Sequence, residues 1–304
     1  MTLPNFLVIG AAKAGTNALF HYLRQHPQVY MSPWKEPKFF AFESRDELTF
    51  RAANGREAPV NATVILDRDE YERLFDGARG ELALGEASPH YLYVEKAPAR
   101  IKSLVPDMKL IAVLRNPIER AFSSYQHLVR DGLEPLDFAA ALDAEPERIA
   151  ENYAFLYRYT DLGFYTRQLD RYQQLFPRER LLILLYDDLR HDPRASCGQI
   201  FSFLGVDETF EPTGSEDYNV SGVPRNRLLH RLLNPSAPTK RRLWQATPGR
   251  LREPLLRLHT RIGNRNLERR SMGERERERL RNVFRDEVAE LEARLDRDLS
   301  HWLA

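Results

Sequence analysis

Two hydrophobic patterns alternate along the chain: short unbroken apolar runs, and longer stretches in which apolar residues return every three or four positions. Phe6-Leu7-Val8-Ile9 is a run of the first kind, the signature of a strand buried on both faces. It leads into Gly10–Gly15, and then into Ala18, Leu19, Tyr22 and Leu23 at helical spacing. Leu82–Glu86, Leu110–Leu114 and Leu181–Leu185 repeat the strand signal with helical stretches between them. Such alternation predicts an α/β fold of three layers, a central parallel sheet flanked by helices, with right-handed crossovers.

One boundary is sharply marked. Asn116-Pro117-Ile118-Glu119 follows the third run and supplies a capping Asn, a Pro at the first helical position and a Glu three beyond the cap. A helix is therefore predicted to start directly after Arg115, with Ala121, Phe122, Tyr125, Leu128 and Val129 facing the sheet. Leu136 to about Phe176 reads as mostly helical with a break near Gly163. Asn234–Pro254 mixes Pro, Ser, Thr and basic residues and reads as an irregular excursion. Leu280, Val283, Phe284, Val288, Leu291, Leu295 and Leu299 predict one long amphipathic helix, whose charged start, Glu274–Arg279, is a solvated face. Residues 1–304 are thus expected to form a single domain, with 234–304 an irregular segment and long helix packed on it.

Composition narrows the function. The 304 residues carry 45 Lys+Arg against 44 Asp+Glu, a net charge of +1, so no overall field attracts nucleic acid or an anionic membrane. Any anion site must be local. Cys197 is the lone cysteine, which excludes an intramolecular disulfide or a zinc–cysteine cluster and points to a reducing compartment. No metal spacing is visible among the histidines. Neither a signal peptide nor an apolar run long enough to cross a membrane is read, so a cytoplasmic location is expected. Only seven residues are lysine against 38 arginines; a lysine here invites the question of what its compact charge does that Arg cannot.

Gly10-Ala11-Ala12-Lys13-Ala14-Gly15-Thr16 is a P-loop-like turn between strand and helix, where free N–H groups and the helix dipole favour an anion. A triphosphate-binding loop of the G-x-x-x-x-G-K-[ST] kind needs Lys where this chain has Thr16. The strand ending at Leu114 is followed by Arg115 rather than a magnesium-binding Asp. An anion held by Lys, Arg and backbone, without metal, fits better.

The arrangement resembles the sulfotransferase superfamily, which uses 3′-phosphoadenosine 5′-phosphosulfate (PAPS). Lys13-Ala14-Gly15-Thr16-Asn17 matches its K-[SA]-G-T-[TSN] loop for the 5′-phosphosulfate. Arg115-Asn116-Pro117-Ile118-Glu119-Arg120-Ala121-Phe122-Ser123-Ser124-Tyr125 matches its R-[DN]-P-x-x-R-x-x-S-x-Y element for the 3′-phosphate. Lys35-Glu36-Pro37-Lys38-Phe39-Phe40 and Glu86-Ala87-Ser88-Pro89-His90-Tyr91 look like motifs of the glycan branch, which includes heparan sulfate sulfotransferases, and Asn219–Arg225 resembles a late donor-binding loop of bacterial members.

The resemblance implies roles. Lys13 would steady the bridging oxygen as charge develops on it; Ala14, Gly15, Thr16 and Asn17 would hold the 5′ end, with Thr16 and Asn17 also capping the helix. Arg115 and Ser123 would take the 3′-phosphate, Gly222 and Arg225 the adenine or 3′-phosphate, and Arg120 is expected in a surface pair. Glu36, flanked by Lys35 and Lys38, is the first candidate for the base that takes the acceptor's proton, with His90 and Glu86 next; Lys13, Glu36, Lys38 and His90 are the expected catalytic set. The expected reaction moves a sulfuryl group to a hydroxyl or amine of a glycan, lipid or secondary-metabolite acceptor and releases adenosine 3′,5′-bisphosphate. Ala87 and Ala41 depart from the heparan-acting pattern, so that acceptor is not assigned. The alternatives are an ATP-dependent kinase of the P-loop class and a nucleotide-binding module without chemistry. Acceptor contacts are expected from Glu43–Arg68, Asp131–Gly163 and Asn234–Pro254.

Overall fold

A computed structural model describes residues 2–54, 64–213, 223–224, 267–268 and 271–304. Five strands form one parallel sheet: Phe6–Gly10 (β1), Val29–Met31 (β2), Ala83–Ala87 (β3), Lys109–Leu114 (β4) and Leu181–Leu185 (β5), in the order β2-β3-β1-β4-β5. The apolar runs form the inner strands β3, β1 and β4 and the edge strand β5, and Phe6, Leu7, Val8 and Ile9 are wholly buried. Three residues long and at the edge, β2 is too short to leave an apolar run of its own. Because chain order reverses on either side of β1, the loops leaving β1 and β4 diverge and open a crevice at their carboxyl ends, the place where open α/β sheets bind ligands.

The Pro117–Arg130 helix begins where its cap predicts: the Asn116 side chain accepts from the N–H groups of Ile118 (2.9 Å) and Glu119 (3.4 Å). Its buried face carries Ile118, Ala121, Phe122 and Leu128, whereas Tyr125 and Val129 are half-buried. Much of that face meets two 3₁₀ turns, Phe155–Tyr157 and Asp161–Gly163, and the C-terminal helix rather than the sheet alone. Gly163 permits the close approach, since a Cβ there would lie 2.7 Å from the Phe284 ring and 3.0 Å from Pro117.

The 136–176 stretch departs from its prediction. Helices Phe138–Asp143, Glu145–Ala150 and Tyr165–Gln173 are short, and an irregular segment separates the last two. Polar groups explain the break. The Glu145 carboxylate accepts from the N–H groups of Thr160 and Asp161 and from the Thr160 hydroxyl, replacing the partners a helix would supply. Glu134, buried, receives two donors from Arg148 at 2.6 and 3.0 Å and the Tyr159 hydroxyl at 2.5 Å.

The last helix, Glu274–Leu295, buries Leu280, Phe284, Val288 and Leu291 against the Pro117 and Tyr165 helices. Val283 falls off that stripe and is exposed. Asp296, at φ 51°, ends the helix in the left-handed region, so Leu299 packs from beyond it. The charged start pairs outward, Arg277 with Glu119 at 3.0 Å and Arg279 with Asp143 at 2.6 Å. Val223–Pro224 and Leu267–Glu268 form a small antiparallel pair. The Asn234–Pro254 excursion lies outside the described residues.

Candidate active site

The crevice contains a cavity of about 350 Å³. One wall is the glycine loop. Its start is tied to β4 by the Ala11 N–H donating to Val113 (2.8 Å), and its middle by Arg115, whose guanidinium donates to the Lys13 carbonyl at 3.0 Å. Gly15, at φ 88°, turns the chain into helix Thr16–Leu23, and a Cβ there would lie 2.8 Å from the Tyr186 ring. That ring also sits 4.8 Å beneath the Arg115 guanidinium. The glycine is therefore demanded twice, by conformation and by space.

Thr16 and Asn17 line the cavity but do not cap the helix as expected. Gly15 is the capping residue, and no side chain accepts from the first-turn N–H groups. Those donors remain for a ligand. Ala14 is wholly buried behind the loop and takes no part in the lining. Arg115 and Ser123 both face the cavity, as expected of residues sharing one phosphate. Arg120 does not sit on the surface: it is wholly buried, donates to the Tyr159 carbonyl, and is held below the usual arginine range by burial. Gly222 and Arg225 lie outside the described residues.

The facing wall is the Lys35–Phe40 loop, hung from the end of β3. The Glu36 N–H donates to Ala87 (3.2 Å) and the Lys38 N–H to the Ser88 hydroxyl (3.1 Å), while Phe39 and Phe40 anchor the loop on Tyr71. Glu86 belongs to this anchoring, not to the cavity. Fully buried, it accepts from Tyr91 (2.6 Å), Ser88 (2.8 Å) and Tyr71 (3.4 Å), and burial pushes its carboxyl up to about 7. Its place among the candidate bases is removed by that geometry, because a base must reach the acceptor.

Glu36 does reach the cavity. Lys35 lies 2.8 Å from one carboxylate oxygen; Lys38, at 3.8 Å, and His90 Nδ1, at 3.9 Å, flank the other. Burial raises the carboxyl, but the lysine charges outweigh it and hold the group at about 2. His90 is packed on the Phe155 ring at 4.6 Å, its Nδ1 has no hydrogen-bond partner, and burial together with Lys38 pushes the imidazole down to about 3. At neutral pH the pair is a carboxylate beside a neutral imidazole, both unprotonated.

Lys13, Glu36 and Lys38 share a feature. With Asn152 and Asp296 they are the described non-glycine residues at positive φ, at 68°, 60° and 57°. Each such conformation costs on the order of 1–3 kcal/mol and persists only where its surroundings fix it. Backbone strain is thus concentrated at the three charged groups around one cavity.

Sequence reasoning missed part of the lining: His127, Arg130 and Asp131 at the far end of the Pro117 helix. The signal was available, since Ser123, His127 and Arg130 follow the i, i+4, i+7 stripe of the motif's own helix. Arg130 donates to His127 Nδ1 at 2.5 Å and to Asp131 at 2.9 Å. Burial, then Lys13 and Arg130, push His127 well below its ordinary range. Burial, then Arg130 and Arg115, bring the Lys13 ammonium down to about 7. Such crowding of cations around a half-buried lysine suits a ligand of several negative charges. Among the described residues, no group of three or more His, Cys, Asp or Glu is placed to hold a metal ion, and no helix is long and apolar enough to cross a membrane.

The comparisons agree with this geometry. The model of the family described as Sulfotransferase family matches residues 4–212. A human protein named bifunctional heparan sulfate N-deacetylase/N-sulfotransferase 3 is 34% identical over 210 residues, 67% of this chain but 22% of its own length. A mouse heparan sulfate glucosamine 3-O-sulfotransferase 6 is 28% identical over 217 residues, 67% of this chain and 52% of its own. This chain therefore spans from about a fifth to half the length of these curated relatives. The crystal structure of a sulfotransferase from Alicyclobacillus acidocaldarius is 34% identical, with a TM-score of 0.77 and full coverage of both chains. On the family match, which takes in the glycine loop, both walls of the cavity and the Arg115–Tyr125 element, the chain belongs to the sulfotransferase family.

Proposed function

We propose that this protein is a PAPS-dependent sulfotransferase acting on a hydroxyl or amine of a glycan, lipid or small metabolite. The observation that carries the reading is that Lys13, the first turn of helix Thr16–Leu23, Arg115 and Ser123 line the same cavity as Glu36. The residues fit the donor: N–H groups without a side-chain cap suit the 5′-phosphosulfate, and Arg115 with Ser123 suits the 3′-phosphate. PAPS supplies the sulfuryl group and leaves as adenosine 3′,5′-bisphosphate.

Lys13 places a compact positive charge where the bridging oxygen gains negative charge, which favours the transition state over the ground state. Glu36 accepts the acceptor's proton, and His90, packed beside its carboxylate, is next in line as base. Lys38 fixes the Glu36 loop through its backbone and keeps the carboxylate ionised. Arg130 extends the cationic wall, with the neutral His127 imidazole beside it. The reading includes one domain, a glycan or small-molecule acceptor and, from the lone Cys197, a cytoplasmic home.

Calorimetry on the full chain tests it. Adenosine 3′,5′-bisphosphate is expected to bind without added magnesium and ATP to bind far more weakly; magnesium-dependent ATP binding in its place would favour the kinase. Labelled PAPS with a pooled acceptor panel then separates an enzyme from a module that binds and does not turn over.

A further inference from the structure

A second cavity, of about 470 Å³, lies beyond the first and is lined by Tyr93, Glu95, Arg158, Asp161, Arg167 and Arg171, among others. The two share a wall. Phe155 lines the first cavity, and its ring is 4.6 Å from that of His90 and 4.8 Å from that of Tyr93. His90 and Tyr93 stand three residues apart on one short helix, hence on the same face; the first belongs to the donor cavity and the second to its neighbour. The Arg158 guanidinium completes the partition, 5.4 Å from the Tyr93 ring and 6.0 Å from Phe155.

Three guanidinium groups meet in this cavity, and their partners do not balance them. Asp161 pairs with Arg167 and also accepts from the Tyr93 hydroxyl. Arg171 donates to the backbone carbonyls of Tyr93 (3.0 Å) and Arg167 (3.2 Å), and the carboxylate nearest it, Glu95 at 3.8 Å, is 88% exposed. Arg158 donates to the Tyr93 hydroxyl at 2.7 Å, and among the described residues no ion pair is formed by it. Its Nε is buried without any hydrogen-bond partner. A donor of this kind is unfavourable unless an acceptor arrives.

We propose that this cavity is an oxyanion site, in which a carboxylate or sulfate group is gripped by Arg158 and Arg171. Forked N–H donors match the two oxygens of such a group, which supplies the missing negative charge. The group has two sources: a free anion, or a substituent of the acceptor whose hydroxyl lies at Glu36 on the other side of the Phe155 ring. The second source rests on the sulfotransferase reading above; the first does not.

Inorganic sulfate is titrated calorimetrically into the full chain saturated with adenosine 3′,5′-bisphosphate, so that the glycine loop is already filled. One saturable site is expected, weakened about tenfold in Arg171→Gln, since a charge-assisted hydrogen bond is lost, and recovered in part by Arg171→Lys. Arg158→Gln is expected to act in the same direction; thermal melting by circular dichroism shows whether that half-buried position still folds, and Arg171→Gln decides the matter if it does not. Sulfate that binds all variants alike, or binds none, overturns the site. Paired acceptors differing only by a carboxylate identify the source: a KM advantage for the acidic member that vanishes in Arg171→Gln assigns the group to the acceptor, and equal KM values with sulfate binding intact assign the site to a free anion. Failure of the unaltered chain to bind adenosine 3′,5′-bisphosphate would sink the donor reading, while sulfate binding that depends on Arg171 would still uphold the second site.

Discussion

The two walls of the donor cavity are built on different plans. The wall bearing Lys13 and Arg115 is made of strand ends and helix starts: β1 and β4 are paired neighbours, and the loops that leave them inherit the rigidity of the sheet. Across from it, Glu36 and His90 rest on a loop and a single turn of helix, positioned by buried hydroxyls around Glu86 and by the aromatic packing of Phe39, Phe40 and Phe155. Regular structure fixes the side expected to hold an invariant donor, and individually placed side chains fix the side expected to face a variable acceptor. Binding and turnover should therefore separate between the walls when each is damaged.

The largest effect is expected at Lys13, on the donor wall. Lys13→Ala should lower turnover by about 10³-fold, the scale of removing a charge aimed at the transition state. Lys13→Arg should fail to rescue it, because a planar fork does not reproduce a compact ammonium in a loop held by the Arg115–carbonyl bond. Single-turnover assays with labelled PAPS measure both, and turnover within a few-fold of the parent would refute the assigned role.

Glu36→Gln ranks next and sharpens the contrast. The amide keeps the shape but cannot accept the proton, so kcat should fall by about 10²-fold or more, while affinity for adenosine 3′,5′-bisphosphate, a property of the other wall, changes little. Equal losses in binding and turnover would mean that the walls are not separable. His90→Gln in the same assay shows whether the imidazole has taken over as base.

How far each wall was legible from sequence follows the same division. Cap, proline and apolar run announced the Pro117 helix and β4 almost to the residue, because local chemistry decides them. The Leu136–Phe176 region read as helix because its spacing is helical, yet Glu134 and Glu145 claim backbone and side-chain donors from residues far along the chain, and no local pattern encodes such partners. Glu86 looked like a base by residue type; only burial under three hydroxyl donors reveals it as a support. His127 and Arg130 were legible in principle and hidden because the motif that drew attention to their helix ends at Tyr125.

A smaller effect tests the electrostatics. Lys13 titrates near 7 in the folded chain against 10.5 for an ordinary lysine, chiefly through burial. Below about 7 both folded and unfolded chains carry the charge and the cost of burying it is complete; from about 7 to 10.5 the unfolded chain alone holds the proton, so stability rises with pH over that window. Lys13→Met removes the titrating group. Its melting temperature without ligand should exceed the parent's near neutrality, with the gap narrowing as pH climbs toward 10.5; a gap independent of pH would contradict the crowded cation.

The smallest effect isolates the framework of the donor wall. Asn116 accepts from the Ile118 and Glu119 N–H groups and donates to the Trp302 carbonyl at 2.9 Å, so it joins the start of the Pro117 helix to the C-terminal turn. Asn116→Ala should cost about 1 kcal/mol in chemical denaturation. Asn116→Asp keeps the cap and loses the donor to Trp302, which makes the difference between the two variants a measure of each bond. Because Arg115 is adjacent, Asn116→Ala is also expected to weaken adenosine 3′,5′-bisphosphate a few-fold and to leave the Glu36 side untouched. If stability falls while donor affinity holds, the strand end alone orients Arg115; if both fall together, the helix start is part of the grip.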